Sequence, residues 1–345
     1  MQDRNIGYFF IVCASVIIVL AGLKSAASIV IPFLLALFIA IILSPSYNYF
    51  NKKGIPNGLS LAIVITIFVI FLVFVARLIG TSAQEFSSNI GIYEQQLSGS
   101  FHKITEMAIS LGIEVPEDEI TSIINPKQIM QLSSGIVQGI GSMFTNGFVI
   151  LLSVIFMLLE SEHFTSKITY ATNDNGVIHN IKEILSKIKR YMVLKALISL
   201  FTGFVIWISL LAVGTDYAFL WAVLAFMLNF IPNIGSIIAA VPAVLLTLIQ
   251  LGSVSALIVA SIYVGVNIII GSVLEPKIMG RGLGLSTLVV FLSLLFWGWL
   301  LGIVGMLLSI PLTMMAKIVL DANENTRWIA VLLGTGENLN SADAK

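Results

Sequence analysis

The segment Phe226-Met227-Leu228-Asn229-Phe230-Ile231-Pro232-Asn233-Ile234-Gly235-Ser236, with an apolar tail ending at Ala240-Val241-Pro242, decides how the rest of the chain is read. It lies inside a stretch without a single charged residue between Asp216 and Glu275. Pro232 has no N–H to give, so a regular helix cannot run through it, and Gly235 reaches dihedrals closed to other residues. In lipid, each backbone group freed this way costs several kcal/mol unless protein or a water-filled cavity satisfies it. A Pro/Gly break flanked by Asn229, Asn233 and Ser236 therefore reads as a discontinuous membrane helix lining a polar cavity, where transporters hold their ligands. The alternative is a kink satisfied by neighbouring helices, since Pro and Gly are common in membrane helices.

The surrounding composition sets the class. Of 345 residues, 58% are hydrophobic and only 10% are charged, against about 25% charged in soluble domains; mean hydropathy is +1.02. An all-α polytopic membrane protein is expected, embedded in the lipid bilayer. The formal net charge is +0, which gives no reason to expect a nucleic-acid partner. Cys13, the single cysteine, lies in the first apolar run, so neither a disulfide framework nor a cysteine metal site is expected. Arg4, that apolar run and Ser25-Ala26-Ala27 imitate a signal peptide, but Lys24 interrupts the cleavage region. The run Ile6–Leu23 is read as an uncleaved first helix.

At about 20 apolar residues per crossing, the chain offers about eight spans. Transmembrane helices are expected within 1–80, at 136–160 and through a core at 196–320 that contains the broken unit 217–251. Sequence leaves open whether that unit re-enters or crosses twice. The last apolar block, Leu285–Ala316, is too long for one helix, and Gly298, Gly302 and Gly305 suit a hairpin of two pieces. Basic residues (Arg4, then Lys52 and Lys53, then the cluster Lys167, Lys182, Lys187, Lys189, Arg190 and Lys195, then Lys277, Arg281, Lys317 and Arg327) gather in alternate loops, which puts both termini and the tail 321–345 in the cytoplasm. Residues 81–135, with Glu114, Glu117, Asp118 and Glu119, form a small helical extracytoplasmic domain in this reading. Its seam Ile90, Tyr93, Leu97, Phe101, Ile104, Ala108, Leu111 packs either on its own second half or on a neighbouring subunit. Residues 161–195 form a cytoplasmic amphipathic segment with the apolar stripe Ile178, Ile181, Leu185, Ile188, Met192, lying on anionic lipid.

Catalytic constellations are missing. His102, His163 and His179 are scattered over polar segments, and Gly280-Arg281-Gly282-Leu283-Gly284 lacks the lysine of a phosphate loop. No enzyme activity, metal or cofactor is expected. The informative polar residues lie in or near the membrane. Tyr263, Asn267, Gly271 and Glu275 recur every four residues, one polar line down a span. Glu275 and Asp216 are candidate ion-coupling carboxylates. In the competing reading Glu275 is clasped structurally by Lys277 and Arg281, and Asp216 is a helix N-cap.

The segment Asn229–Ser236, the run Leu274-Glu275-Pro276-Lys277-Ile278-Met279-Gly280-Arg281-Gly282-Leu283-Gly284-Leu285-Ser286 and Phe291-Leu292-Ser293-Leu294-Leu295-Phe296-Trp297-Gly298-Trp299 together resemble the signature of the autoinducer-2 exporter family of permeases. The likeness covers nearly the whole chain and is strongest to enterobacterial members. It implies a bacterial inner-membrane exporter of the furanosyl quorum-sensing signal that affects biofilm formation. It also implies a homo-oligomer, pentameric in that family. Other members of the broad family resemble sodium (lithium)–proton antiporters, which would need a membrane-embedded carboxylate. A small hydroxylated, uncharged solute needs amides and hydroxyls instead. Asn229, Asn233, Ser236, Tyr263 and Asn267 supply them around Pro232 and Gly235.

Overall fold

The computed structural model describes residues 2–110, 131, 134–135, 147–172, 175–232, 234–279, 284–321 and 324–334. Helices are α1 (Gln2–Ser25), α2 (Ala27–Lys52), α3 (Asn57–Ser110), α4 (Gly147–Thr172), α5 (Asn175–Val213), α6 (Ala218–Leu228) and α7 (Gly235–Val266). A π-helical segment (Asn267–Leu274) continues α7 into α8 (Glu275–Met279), and α9 (Thr287–Leu307), α10 (Ser309–Asp321) and α11 (Arg327–Leu332) follow. No strand occurs among the described residues, and the fold is that of an all-α polytopic membrane protein. Five described helical stretches are long and apolar enough to cross a bilayer, within α2, α3, α5, α7–α8 and α9; Ala14–Ser25, Gly147–Ser161 and α6 are shorter apolar helices.

The chain divides into two compact units. One gathers residues from 1–64, 148–194 and 281–345; the other holds 65–147 and 195–280. In the first, α1 and α2 pack on each other and on α9, and α9 packs on α10. Gly302, at φ 66°, breaks α9, and beyond it the chain doubles back, because a Cβ on Gly305 would overlap the Trp297 carbonyl. The long last apolar block is thus a helical hairpin whose open end is tied by Lys317 Nζ donating to the Gly284 carbonyl.

In the second unit, α5 shows why a membrane helix can be apolar all round and still have an inner face. Lys195, Ile198, Ser199, Thr202, Ile206 and Leu210 are buried at helical spacing, while Leu197, Leu200, Phe204 and Leu211 are exposed to lipid. Helix α3 is unbroken through residue 80, so its membrane and polar parts are one rod of 54 residues, about 80 Å long. Tyr93, on that rod, is buried against Phe86 and reaches the Tyr217 hydroxyl at 3.4 Å. Residues 111–130, with Glu114, Glu117, Asp118 and Glu119, lie outside the described residues, as do the side chains of Leu97, Phe101, Ile178 and Ile181. Of the amphipathic stripe, Ile188 and Met192 are buried and Leu185 is exposed.

Helices α6 and α7 form a hairpin. With 11 residues, α6 rises about 16 Å, half of a hydrocarbon core of about 30 Å. The chain then turns at 229–234 and α7 runs back until Gly252, at φ 84°, starts the next piece. The two ends meet again: Thr215 and Thr247 hydroxyls lie 3.0 Å apart, and Gln250 bonds both the Asp216 N–H and its carboxylate. The two ends of the unit 217–251 are therefore tied together at the open end of one hairpin.

Candidate functional site

The site grows from the way the α6 ladder stops. Asn229 still donates to Ala225 O at 2.9 Å, but Phe230 and Ile231 turn to the nearer carbonyls of Met227 (3.2 Å) and Leu228 (2.8 Å). Pro232 cannot donate, and Gly235 closes a wide turn back to Ile231 O at 3.3 Å before α7 begins. Gly235 is demanded here by close approach, since a Cβ at that position would overlap the Leu228 carbonyl. This tight return presents Asn229 and Ser236, from the two arms, to one space.

That space is closed by α5 and by the line on α7 and the π segment. Thr202, Ile206, Ala225, Asn229, Ser236, Tyr263, Val266, Asn267 and Gly271 line a small cavity that holds about one water molecule. Asn229 Nδ2 donates to Ser199 Oγ at 2.9 Å, and Ser236 Oγ donates to Asn267 Oδ1 at 2.9 Å. The Tyr263 hydroxyl is buried and has no hydrogen-bond partner among the described residues. No lining residue carries a formal charge.

The π segment has a geometric role. In an α-helix, at about 100° per residue, every step of four residues overshoots a full turn by about 40°. Three such steps would carry Glu275 well round the helix from Tyr263. Turns closed by i→i+5 bonds hold more residues, so a step of four falls short and cancels that drift. Tyr263, Asn267 and Gly271 consequently all face the cavity, and Glu275 still faces α5. There Lys195 Nζ meets Glu275 Oε1 at 2.6 Å, with side-chain exposures of 4% and 19%.

The pair seen among the described residues is a different one from the expected clasp. Glu275 is paired with Lys195, 80 positions away in sequence, and Lys277 is exposed. Two residues apart on one helix, Glu275 and Lys277 point to different sides and cannot face each other. Arg281 and Asn233 lie outside the described residues. Asp216 is not gathered into the cavity: it is exposed beside Gln250 at the open end of the α6–α7 hairpin. Nor does its side chain cap α6, whose N-cap is Tyr217 at φ 55°; instead the Asp216 carbonyl accepts from Trp221 Nε1 at 3.1 Å.

The chain matches the AI-2E family transporter description over residues 12–325. It belongs to that family. It is 40% identical over 325 residues to the AI-2 transport protein TqsA of Escherichia coli (strain K12), covering 94% of each chain. It is 35% identical over 335 residues to YhhT of the same strain, a transport protein by name only, covering 97% of this chain and 96% of that one. A transport protein of Haemophilus influenzae, also such by name only, is 41% identical over 334 residues, with coverage of 94% and 95%. As an AI-2E family transporter, the chain is a multi-pass membrane protein whose work is moving a solute.

Sequence reasoning missed the α5 side of this site. Lys195, Ser199, Thr202 and Ile206 recur at helical spacing, and a lysine opening an apolar run was the available signal. Read as one more basic residue of the preceding cluster, Lys195 gave no hint that it is buried.

Proposed function

We propose that this AI-2E family transporter exports autoinducer-2 or a similar small hydroxylated solute, and that the solute passes through the cavity between α5, the α6–α7 turn and the π segment. The observation that carries the reading is one small cavity without a charged lining residue, bordered by Asn229, Ser236, Asn267 and Tyr263, whose hydroxyl is buried without a hydrogen-bond partner among the described residues. Asn229, Ser236, Asn267 and Tyr263 offer donors and acceptors to a neutral polyol, and none would hold an ion by charge. A ligand pocket of roughly 300 Å³ or more is needed for such a solute, so transport requires the α6–α7 turn to move away from α5 and the π segment. The paired Asn229–Ser199 and Ser236–Asn267 groups then exchange partners with the solute and re-form behind it. The ion-exchange alternative would need a free membrane carboxylate; Glu275 is held by Lys195, and Asp216 is exposed beside Gln250. The setting belongs to the same proposal: the bacterial inner membrane, both termini cytoplasmic, and a homo-oligomer, pentameric on the family resemblance.

The test is uptake of labelled autoinducer-2 into inverted vesicles. Asn267→Leu removes the acceptor of Ser236 and one solute partner, a loss of about 1–3 kcal/mol, or roughly ten- to a hundredfold in affinity. Leu257→Ala, 70% exposed, is the control. Equal uptake by the two variants, at equal protein in the membrane, would refute the assignment.

A further inference from the structure

We propose that the buried Lys195–Glu275 pair is the gate at one end of the path to the cavity, resting on the reading of that cavity as the solute site. Helices α5 and α7–π run antiparallel in this unit, and their polar positions pair off in sequence. Thr202 and Ile206 from α5 and Tyr263, Asn267 and Gly271 from the facing line all border the cavity, and Ser199, on α5 between Thr202 and Lys195, holds Asn229. The next pair along this seam is Lys195 with Glu275. Beyond it come Pro276 and the exposed Lys277 and Ile278, where the span ends. A solute leaving the cavity along the seam meets the ion pair before it meets water.

Three features suit the pair to that role rather than to holding the fold. First, a buried ion pair is poor cement, because the cost of desolvation offsets most of the attraction and an apolar pair does as well. What two opposite charges add is one closed register, which an uncharged pair does not define, and each charge regains its hydration when the seam opens. Second, the two partners differ in exposure, 4% for Lys195 against 19% for Glu275, so the carboxylate is the edge that faces outward. Third, the line from cavity to gate passes Gly271, which has no side chain; among the described residues only Asn267, at 3.0 Å, would meet a Cβ there. Asn267 opens the π segment and Glu275 follows its last residue, so a change in the winding of that segment moves cavity and gate together.

The experiment places a cysteine in the cavity, Ser236→Cys in a Cys13→Ala background, and measures its rate of modification by a small water-soluble methanethiosulfonate in detergent. Three partners are compared: the native pair, the neutral double variant Lys195→Met with Glu275→Gln, and the exchanged pair Lys195→Glu with Glu275→Lys. Only variants that elute as the same species and melt within a few degrees of the parent are scored. The neutral pair leaves no charge stranded and so is expected to fold. The expected result is a rise in rate of about tenfold or more for the neutral pair and return toward the parent rate for the exchanged pair. An unchanged rate in a folded neutral variant overturns the gate. Protection of the cysteine by autoinducer-2 is read separately: faster modification without protection keeps the gate and rejects the solute, and protection with an unchanged rate does the reverse.

Discussion

Gly235→Ala puts the hairpin to its most direct test. The α-carbon of Gly235 sits so close to the Leu228 carbonyl that a methyl carbon would come within 1.8 Å of its oxygen. The obstacle is backbone, which cannot rotate aside as a side chain can, so the arms must part. Overpacking of this kind costs about 1–3 kcal/mol, and the rigid obstacle argues for the upper end. Parting the arms also draws Ser236 from Asn267, losing a hydrogen bond worth about 1 kcal/mol. Gly265→Ala is the matched comparison: it lies within α7, its Cβ would meet nothing within 4 Å, and it should gain up to about 1 kcal/mol of helix propensity. The two variants should then differ by roughly 4–5 kcal/mol, on the order of 10 °C at the usual 2–4 °C per kcal/mol for large domains. Both are heated in detergent at one scan rate, since unfolding is expected to be irreversible, and the monodisperse fraction is measured. If Gly235→Ala survives heating as well as Gly265→Ala, the close return at 229–235 is not the structure of the hairpin.

Two further outcomes follow from the same geometry. Tyr263→Phe removes a buried hydroxyl without a protein partner, so melting should be unchanged or raised by up to about 1 kcal/mol, while uptake of autoinducer-2 at low concentration falls roughly tenfold; a stability loss with normal uptake would show that the hydroxyl serves the fold instead. Gly302→Ala meets no atom within 4 Å but must hold φ 66° with ψ −148°, a region open essentially to glycine alone, so it should cost about 1–3 kcal/mol by thermal melting, and Gly302→Asn should fare no better; parent-like melting of both variants would mean that the α9 bend does not hold these dihedrals.

What could be read in the sequence, and what could not, divides along a physical line. Apolar runs, the missing charge between Asp216 and Glu275, and Pro232 with Gly235 are local, and each speaks for its own few residues. They carried the all-helical membrane class and drew attention to Asn229, Ser236, Tyr263 and Asn267, which one cavity brings together. Partnership is not local. Glu275 was matched to the nearest cations in sequence, yet its partner is on another helix, and only the packing of α5 against the π segment reveals it. The π segment itself leaves no mark in composition: Asn-Ile-Ile-Ile-Gly-Ser-Val-Leu would read equally well as α-helix, and its winding serves the alignment of its polar face.

The hairpins show the same limit from another side. No repeat is visible in the residue types, because most positions of a membrane hairpin need only be apolar. Yet both hairpins are laid out on one frame, each described within its own unit. Gly214 and Gly284, both at positive φ, precede the first arms. Pro232 and Gly302 fall at the same distance along the chain from those glycines and break the two helices. Gly235 and Gly305, again equally placed, pack on the carbonyls of Leu228 and Trp297. The open ends are tied from matching positions of the second arms, by Thr247 to Thr215 in one and by Lys317 to Gly284 in the other, the first-arm partners being one place apart on this frame. What the two share is the set of places where backbone must turn, touch or be satisfied in an apolar medium. Between those places the side chains are free to differ, and the difference falls on function: the α6–α7 hairpin carries Asn229 and Ser236 at its tip, where the α9–α10 hairpin has Trp299 and Met306.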